Sequence, residues 1–225
     1  MTITVYKRPL ETLAQSELLR WRQIPVAVAV DVSNAACQID PAIHPLCPAG
    51  QQPRLFGRAV TARCEPPDFG AVLYALEQIQ PGDVLVIAAN GHTETAMIGE
   101  ILGGHLQRRG GQGIVCDGAI RDVAQLATMP AFSVFSRTIT PRGPTSMDRG
   151  EVNVAVRIGG RLVSPGDLLI GDDDGLAALD PAAIQRYIGD AEAKLAREAE
   201  WVAGLAEGRS VMQTFGLSPA HYATF

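Results

Sequence analysis

What this chain lacks narrows its function before any motif is read. It has no surplus of positive charge: 19 Lys+Arg stand against 24 Asp+Glu, for a net charge of −5. A nucleic-acid surface needs clustered cations to displace the counterions of phosphate, so that class of partner is not expected. No apolar run reaches the roughly 18 residues that span a bilayer. No basic segment followed by a short apolar stretch precedes residue 20, so no export signal is expected. Both absences point to a cytoplasmic protein that does not enter a membrane. The 4 cysteines, Cys37, Cys47, Cys64 and Cys116, form no CxxC, and no histidine sits at zinc-finger spacing from them. Buried free thiols are the reading, not a zinc site or disulfides. The histidines His44, His92, His105 and His221 are scattered, with no HExxH and no triad spacing; His92 alone falls just beyond an apolar strand, near a possible cleft. Glycine-rich "RRGGQGIV" precedes a strand, whereas dinucleotide and phosphate loops follow one. "GDDDG" (171–175) lacks the later glutamate of a calcium loop and reads as a solvated turn.

What is present is a core. Hydrophobic residues are 47% of the 225, and charged ones 19%, with no long like-charge block. The chain is therefore globular, and its length suits one domain. Leu10, Leu13, Ala14, Leu18 and Trp21 repeat at helical spacing. Residues 25–32 enter the core, and a loop runs from about Asp40 to Pro53. Gly57 to Cys64 is predicted as a strand, 70–79 as a helix and Val84 to Ala89 as a short buried strand. A helix is predicted from about Thr93 to Arg109, closed by Gly110 and Gly111. This alternation to residue 135 implies βαβ units. Val152–Ile158 and Arg161–Val163, joined by Gly159-Gly160, read as a hairpin. Leu168 to Ile170 is a further apolar run. Asp180-Pro181 starts a last helix that runs to about Glu207, with aspartate as cap and proline at its first position. The expected architecture is one compact α/β domain over 1–225, with a core of about 24–180 and a C-terminal helix of about 181–207.

The chemistry candidates sit in "CDGAIRDVAQ" (116–125). A buried strand, Gly113 to Cys116, is followed almost at once by Arg121 and Asp122 side by side. One reading is a helix start, with Asp122 capping free N–H groups and Arg121 in solvent. The other is a ligand site at the end of a sheet strand. Arginine there grips a carboxylate through its planar fork, and the aspartate offers oxygen to a hard cation. Glu100 follows Gly99 in "AMIGEIL" among apolar neighbours. It is either a surface glutamate or part of a ligand site in which Gly99 lets the backbone approach closely. The N–H groups of Ile101 and Leu102 are then useful only if the helix begins or breaks there. In the last helix, Ile184, Ile188, Ala191, Leu195, Val202 and Leu205 form an apolar stripe whose missing member is Glu198. That carboxylate lies at the stripe's edge or reaches a partner site.

These residues resemble a known family. A Gly-Glu pair on a helix, with Gly99 lying 22 positions before Arg121, and an Arg-Asp pair after "DG" are similar to the class II pyruvate aldolases of the 4-hydroxy-4-methyl-2-oxoglutarate/4-carboxy-4-hydroxy-2-oxoadipate type and to their RraA-like relatives. "TPRGPTS" (140–146) and "GEVNVAVRIGGRLVSPGDLLIGDDDG" (150–175) extend the resemblance, which covers roughly 24–205. It implies a swivelling β/β/α domain assembled as trimers or hexamers, with sites at subunit interfaces and a requirement for Mg²⁺ or Mn²⁺. It further implies that Asp122 is the direct metal ligand and that Arg121 holds the pyruvyl oxygens and stabilises the enolate. Glu100 would stand where the family has an acid bonded to water on the metal. The N–H groups of Ile101 and Leu102 would bind the substrate carboxylate, and Glu198 would be the acid supplied by a neighbouring subunit. The implied activity is retro-aldol cleavage of a 4-hydroxy-2-oxo acid to pyruvate, with oxaloacetate decarboxylation beside it. No Schiff-base lysine is needed, and the chain has only Lys7 and Lys194, the latter expected on the exposed face of the last helix. One departure stands out: the position three past the Asp, acidic in the aldolases, is Gln125, which keeps the hydrogen-bonding shape without the charge. That departure favours the alternative implied by the RraA-like relatives, a non-catalytic regulator that binds a protein partner such as a ribonuclease.

Overall fold

The computed structural model describes residues 2–8 and 15–221. Strand β1 (Thr2–Val5) and helices α1 (Gln15–Trp21) and α2 (Val26–Val32) precede the two-residue strand β2 (His44–Pro45). Then β3 (Leu55–Arg63), α3 (Gly70–Gln78), β4 (Asp83–Ala96), α4 (Glu100–Arg108), β5 (Gly113–Ile120), α5 (Val123–Ala127) and β6 (Ser133–Ile139) alternate. Strand β7 (Arg149–Val152) follows, then two hairpins, β8 (Val156–Ile158) with β9 (Arg161–Val163) and β10 (Leu168–Asp172) with β11 (Gly175–Leu179). Helices α6 (Pro181–Ala206) and α7 (Val211–Phe215) end the described chain.

The alternation expected up to residue 135 forms the sheet's centre: β3, β4, β5 and β6 are neighbours and all parallel. Successive side chains of these strands point to opposite faces, so an unbroken apolar strand serves two cores. Leu85 and Ile87 face Leu76 of α3, Leu106 of α4 and Leu126 of α5. Val84 and Val86 face Val156, Ile158 and Val163 of the β8–β9 hairpin. Each such fully buried side chain contributes about 1.5–3 kcal/mol. The result is a hairpin layer, a sheet layer and a helix layer, the mixed α/β class that the sequence implied. A third cluster joins Trp21, Val28, Ile170, Leu179, Ile184 and Ile188, docking α1, α2 and the first half of α6 on the β10–β11 hairpin. Asp180 caps α6 by accepting the Ala183 N–H at 2.7 Å, with Pro181 at the first position, as the sequence signal requires. Past Leu195 the apolar stripe of α6 leaves this core, and Val202 is 68% exposed.

Three expectations need correction. No helix begins at Thr93. Strand β4 stays extended to Ala96, with two register shifts against β5. Left-handed Asn90 and Gly91 absorb part of the irregularity, and the β-branched Thr93 and Thr95 suit an extended chain. Ala96 and Met97 mimicked helical periodicity because both are buried in the strand's continuation. The hairpin strand expected from Val152 is also two elements, since left-handed Asn153 ends β7 before β8 begins. Lys194 is not out in solvent: its ammonium lies between Asp31, at 3.1 Å, and Glu198, at 3.0 Å. Leu10, Leu13 and Ala14 of the first helical pattern lie outside the described residues. Among those described, no helix is long and apolar enough to cross a membrane.

Candidate active site

Because α4 starts at Glu100 and not seven residues earlier, its free N-terminal amides arrive beside the end of β5. The two segments are laced together: Met97 N–H donates to Ala119 O at 2.9 Å and Arg121 N–H to Ile98 O at 3.1 Å. Asp122 then takes a left-handed backbone (φ 56°, ψ 40°). That turn rules out the side-chain cap proposed for Asp122 in the helix-start reading. The carboxylate does not cap α5; it swings across to α4, where Oδ2 accepts the Glu100 N–H at 3.2 Å. Arg121 Nε stands 3.5 Å from the same oxygen. The Asp122 side chain is 36% exposed and that of Arg121 40%, so both groups remain open to a ligand.

Two glycines make room for this pair. A Cβ on Gly99 would run into the Asp122 carboxylate and the Arg121 stem. A Cβ on Gly143 would lie 2.6 Å from an Arg121 guanidinium nitrogen. Gly99 therefore serves close approach, though to the protein's own side chains. Gly143 sits in "TPRGPTS" and was not singled out; its Gly-Pro dipeptide was the available signal. The loop that carries it is fixed at both ends. Ala96 N–H donates to Arg142 O at 2.8 Å. Beyond it, buried Asp68 accepts Asp148 N–H at 2.8 Å, Arg149 N–H at 3.2 Å, Gly70 N–H at 2.8 Å and the Ser146 hydroxyl. Burial pushes the Asp68 carboxyl up, but these four donors outweigh it and leave the group below the usual carboxylate range.

The pair opens onto a chamber of about 240 Å³. Phe69, Leu73, Met97, Ile101, Leu102 and Pro144 wall it, and Gly99, Arg121 and Asp122 form its polar corner. Gly103 N–H makes the first intrahelical bond, to Gly99 O at 2.9 Å, so Ile101 and Leu102 N–H have no acceptor within the helix. The helix dipole adds its positive end there. Thus Gly99, Ile101, Leu102, Arg121 and Asp122 line one chamber, while Glu100 joins them only through its backbone N–H to Asp122, and its side chain is not part of the lining among the described residues. The donor set fits a small hard cation. Asp122 Oδ2 is held by an amide, which orients the carboxylate, and Mg²⁺ takes one or two carboxylates and keeps several waters.

Other candidates lie elsewhere. His92 is satisfied by Thr95, whose hydroxyl is 2.8 Å from Nε2. The Asp172–Asp174 turn is structural: Asp172 accepts Val26 N–H at the start of α2, and Asp173 accepts Gly50 N–H, each at 2.8 Å. No cluster of three or more potential metal ligands occurs among the described residues. All four thiols are free, and three are buried as expected. Burial pushes Cys64 up to about 12 and Cys116 well above its ordinary value, so neither is a nucleophile near neutrality. Gln125 is exposed on α5. Glu198 lies on α6, within whose own chain its carboxylate pairs with Lys194.

Comparison with known proteins bears on the family and the fold. The RraA-like family model, described as Aldolase/RraA, matches residues 27–177. A Halalkalibacterium halodurans protein, provisionally named 4-hydroxy-4-methyl-2-oxoglutarate aldolase, is 30% identical over 187 residues, covering 82% of this chain and 87% of its own. A Thermus thermophilus protein named 4-hydroxy-4-methyl-2-oxoglutarate aldolase is 33% identical over 130 residues, covering 58% of this chain and 78% of its own. The crystal structure of Streptomyces coelicolor RraAS2, described as an unusual member of the RNase ES inhibitor RraA family, superposes with a TM-score of 0.73 at 27% identity. That match covers 85% of this chain and 98% of the other.

Proposed function

The chain belongs to the RraA-like family, and from that premise we propose that it is a divalent-metal-dependent lyase that cleaves a 4-hydroxy-2-oxo acid to pyruvate. The observation that carries this reading is the convergence of Arg121, Asp122 and the first turn of α4 on one open chamber. The substrate's C1 carboxylate takes the free N–H groups of Ile101 and Leu102. Arg121 faces the 2-oxo oxygen. When the C3–C4 bond breaks, its electron pair stays on C3 as the pyruvate enolate, the C4 hydroxyl gives its proton to water as the new carbonyl forms, and C3 then takes a proton from water to complete pyruvate. The guanidinium, fixed before the reaction begins, stabilises the charge that develops on the enolate oxygen. Asp122 would hold Mg²⁺ or Mn²⁺, with Glu100 nearby, and the cation supplies Lewis-acid polarisation of the 2-oxo group. Decarboxylation of oxaloacetate would pass through the same enolate.

The assembly belongs to the same proposal. The second half of α6 carries its apolar stripe out of the protomer's core, which supports a homo-oligomer, trimer or hexamer. In it Glu198 would reach a neighbour's Arg121 and Asp122. Its hold by Lys194 would have to be exchanged on assembly.

The test is pyruvate formation from 4-hydroxy-4-methyl-2-oxoglutarate and from oxaloacetate, with EDTA and with Mg²⁺ or Mn²⁺ restored. Activity that vanishes in chelator and returns with the metal is expected. Undiminished turnover in EDTA overturns the metal-dependent reading. A second reading, a non-catalytic regulator that binds a ribonuclease, is favoured by the uncharged, exposed Gln125. The absence of pyruvate formation with metal present would select it.

A further inference from the structure

A second cavity, of about 340 Å³, lies at the other end of the parallel strands. The chamber takes the C-terminal ends of β4 and β5, whereas this cavity takes the first residues of β3, Phe56 to Arg58, and the first of β4, Asp83. Helix α3 runs between them: Leu73 lines the one and Gln78, its last residue, lines the other.

The charge of this cavity is one-sided. Arg8, Arg22 and Arg58 line it against a single carboxylate, Asp83. That carboxylate is already engaged, since its Oδ2 accepts Arg8 at 2.7 Å and the Gln80 N–H at 2.9 Å. Arg22 lays its guanidinium over the Phe56 ring, 4.5 Å from the centroid. Neither Arg22 nor Arg58 is paired with a carboxylate among the described residues. Phe56 and Arg58 point to the same face of β3, about 7 Å apart along the strand, so the two cations are anchored side by side and not at one point. The cavity also meets a buried acceptor that lacks a donor. Asn153, which lines it, is 6% exposed. Its Nδ2 donates to Tyr6 O at 3.1 Å, while its Oδ1 is buried with no donor among the described residues. The left-handed backbone (φ 59°) accounts for an asparagine at this position, but not for an oxygen left unpaired, which folding alone disfavours.

We propose that this cavity is a binding site for a small hydroxylated dicarboxylate of the malate type, separate from the reaction chamber. Its two carboxylates take the planar forks of Arg22 and Arg58, and its hydroxyl donates to Asn153 Oδ1. A dianion balances the two cations that Asp83 leaves over. The site stands whether or not the chamber is that of a lyase.

Calorimetric titration of the full-length protein with L-malate, succinate and inorganic phosphate, in a buffer free of other carboxylates and phosphate, tests it. Malate should bind saturably, and Arg58→Gln or Arg22→Gln should each weaken that binding by at least about tenfold, whereas Arg121→Ala should leave it unchanged. Succinate, the same chain without the hydroxyl, should bind about threefold or more weakly, and phosphate, with its charge at one point, more weakly than malate. Melting curves would show that the variants fold, and Arg22→Gln, on an exposed side chain, keeps the test open if Arg58→Gln does not. Binding that is lost in Arg121→Ala but kept in Arg58→Gln places malate in the chamber and overturns the proposal. Succinate or phosphate bound as tightly as malate overturns it too, as does the absence of saturable binding. If malate does not bind and Arg58→Gln changes the oligomeric state in size-exclusion chromatography, the cavity is a contact between copies of the chain.

Discussion

Strand β5 carries two Asp–Arg clusters within six residues, and they differ in every respect that matters. At mid-strand, Asp117 is 8% exposed, pairs with Arg137 and also accepts the Gly159 N–H at 2.8 Å, so both its oxygens are used. Arg137 reaches Asp40 as well, at 3.2 Å, and the Asp117 hydrogen bond raises its guanidinium above the ordinary value. This cluster is closed, and it pins the turn of the β8–β9 hairpin to the sheet. At the strand's end Arg121 and Asp122 are loosely paired at 3.5 Å, and among the described residues only one carboxylate oxygen has protein partners. Charges that satisfy one another hold a fold together; charges held in position with valence to spare are available to a ligand.

Substitution should break the two clusters in different ways. The largest effect is expected at the open one. Arg121→Ala should lower turnover by about 10²–10³, equivalent to roughly 3–4 kcal/mol of transition-state stabilisation, while thermal melting stays near wild type. Arg121→Lys should recover little of it, because an ammonium lacks the planar fork. Steady-state kinetics at saturating Mg²⁺ beside a melting curve would show both, and a large loss of melting temperature would make Arg121 structural.

At the closed cluster the pattern should invert. Asp117→Ala should cost about 2–3 kcal/mol of stability, less than a fully enclosed pair because Arg137 retains water and Asp40. Urea unfolding measures it, and activity per folded molecule should persist.

Asp68 offers a milder test through pH. Its folded value lies below its unfolded one, so it contributes stability above about pH 4 that is lost as pH falls through the folded value. Asp68→Asn should flatten the acid limb of a stability-against-pH curve, and an unchanged limb would mean the four donors matter little. The smallest stability change belongs to Glu198→Gln, within about 0.5 kcal/mol, as an i,i+4 pair at partial exposure is worth little more. Turnover separates its two possible roles: a drop at unchanged stability marks the cross-subunit acid, and wild-type rates remove it from the site.

The sequence carried the sheet because parallel strands buried on both faces read as continuous apolar runs, as in Val84 to Ala89. It carried the start of α6 because Asp-Pro is a local signal. It misplaced the start of α4, since Ala96 and Met97 are buried in either conformation and only long-range pairing with β5 keeps them extended. The same error concealed why Ile101 and Leu102 could offer free amides. Arg121, Asp122 and Glu100 were legible as residue types in an unusual order. Phe69, Leu73 and Gly143 were not, because they meet the pair only through α3 and the 140–146 loop, which Asp68 ties together.

The left-handed backbone of Asp122 has a consequence for the history of such a chain. At that dihedral most side chains are strained by about 1 kcal/mol or more, whereas glycine is relaxed and asparagine tolerated. The two easiest replacements at this position are therefore accepted by the backbone, and both delete the carboxylate that the proposed reaction needs; glycine also gives up the bond from the Glu100 N–H. The backbone conformation exerts no pressure to retain an acid there; use of the proposed site would. A descendant with asparagine at this position would keep the same sheet and the same chamber, and would differ by one small side chain.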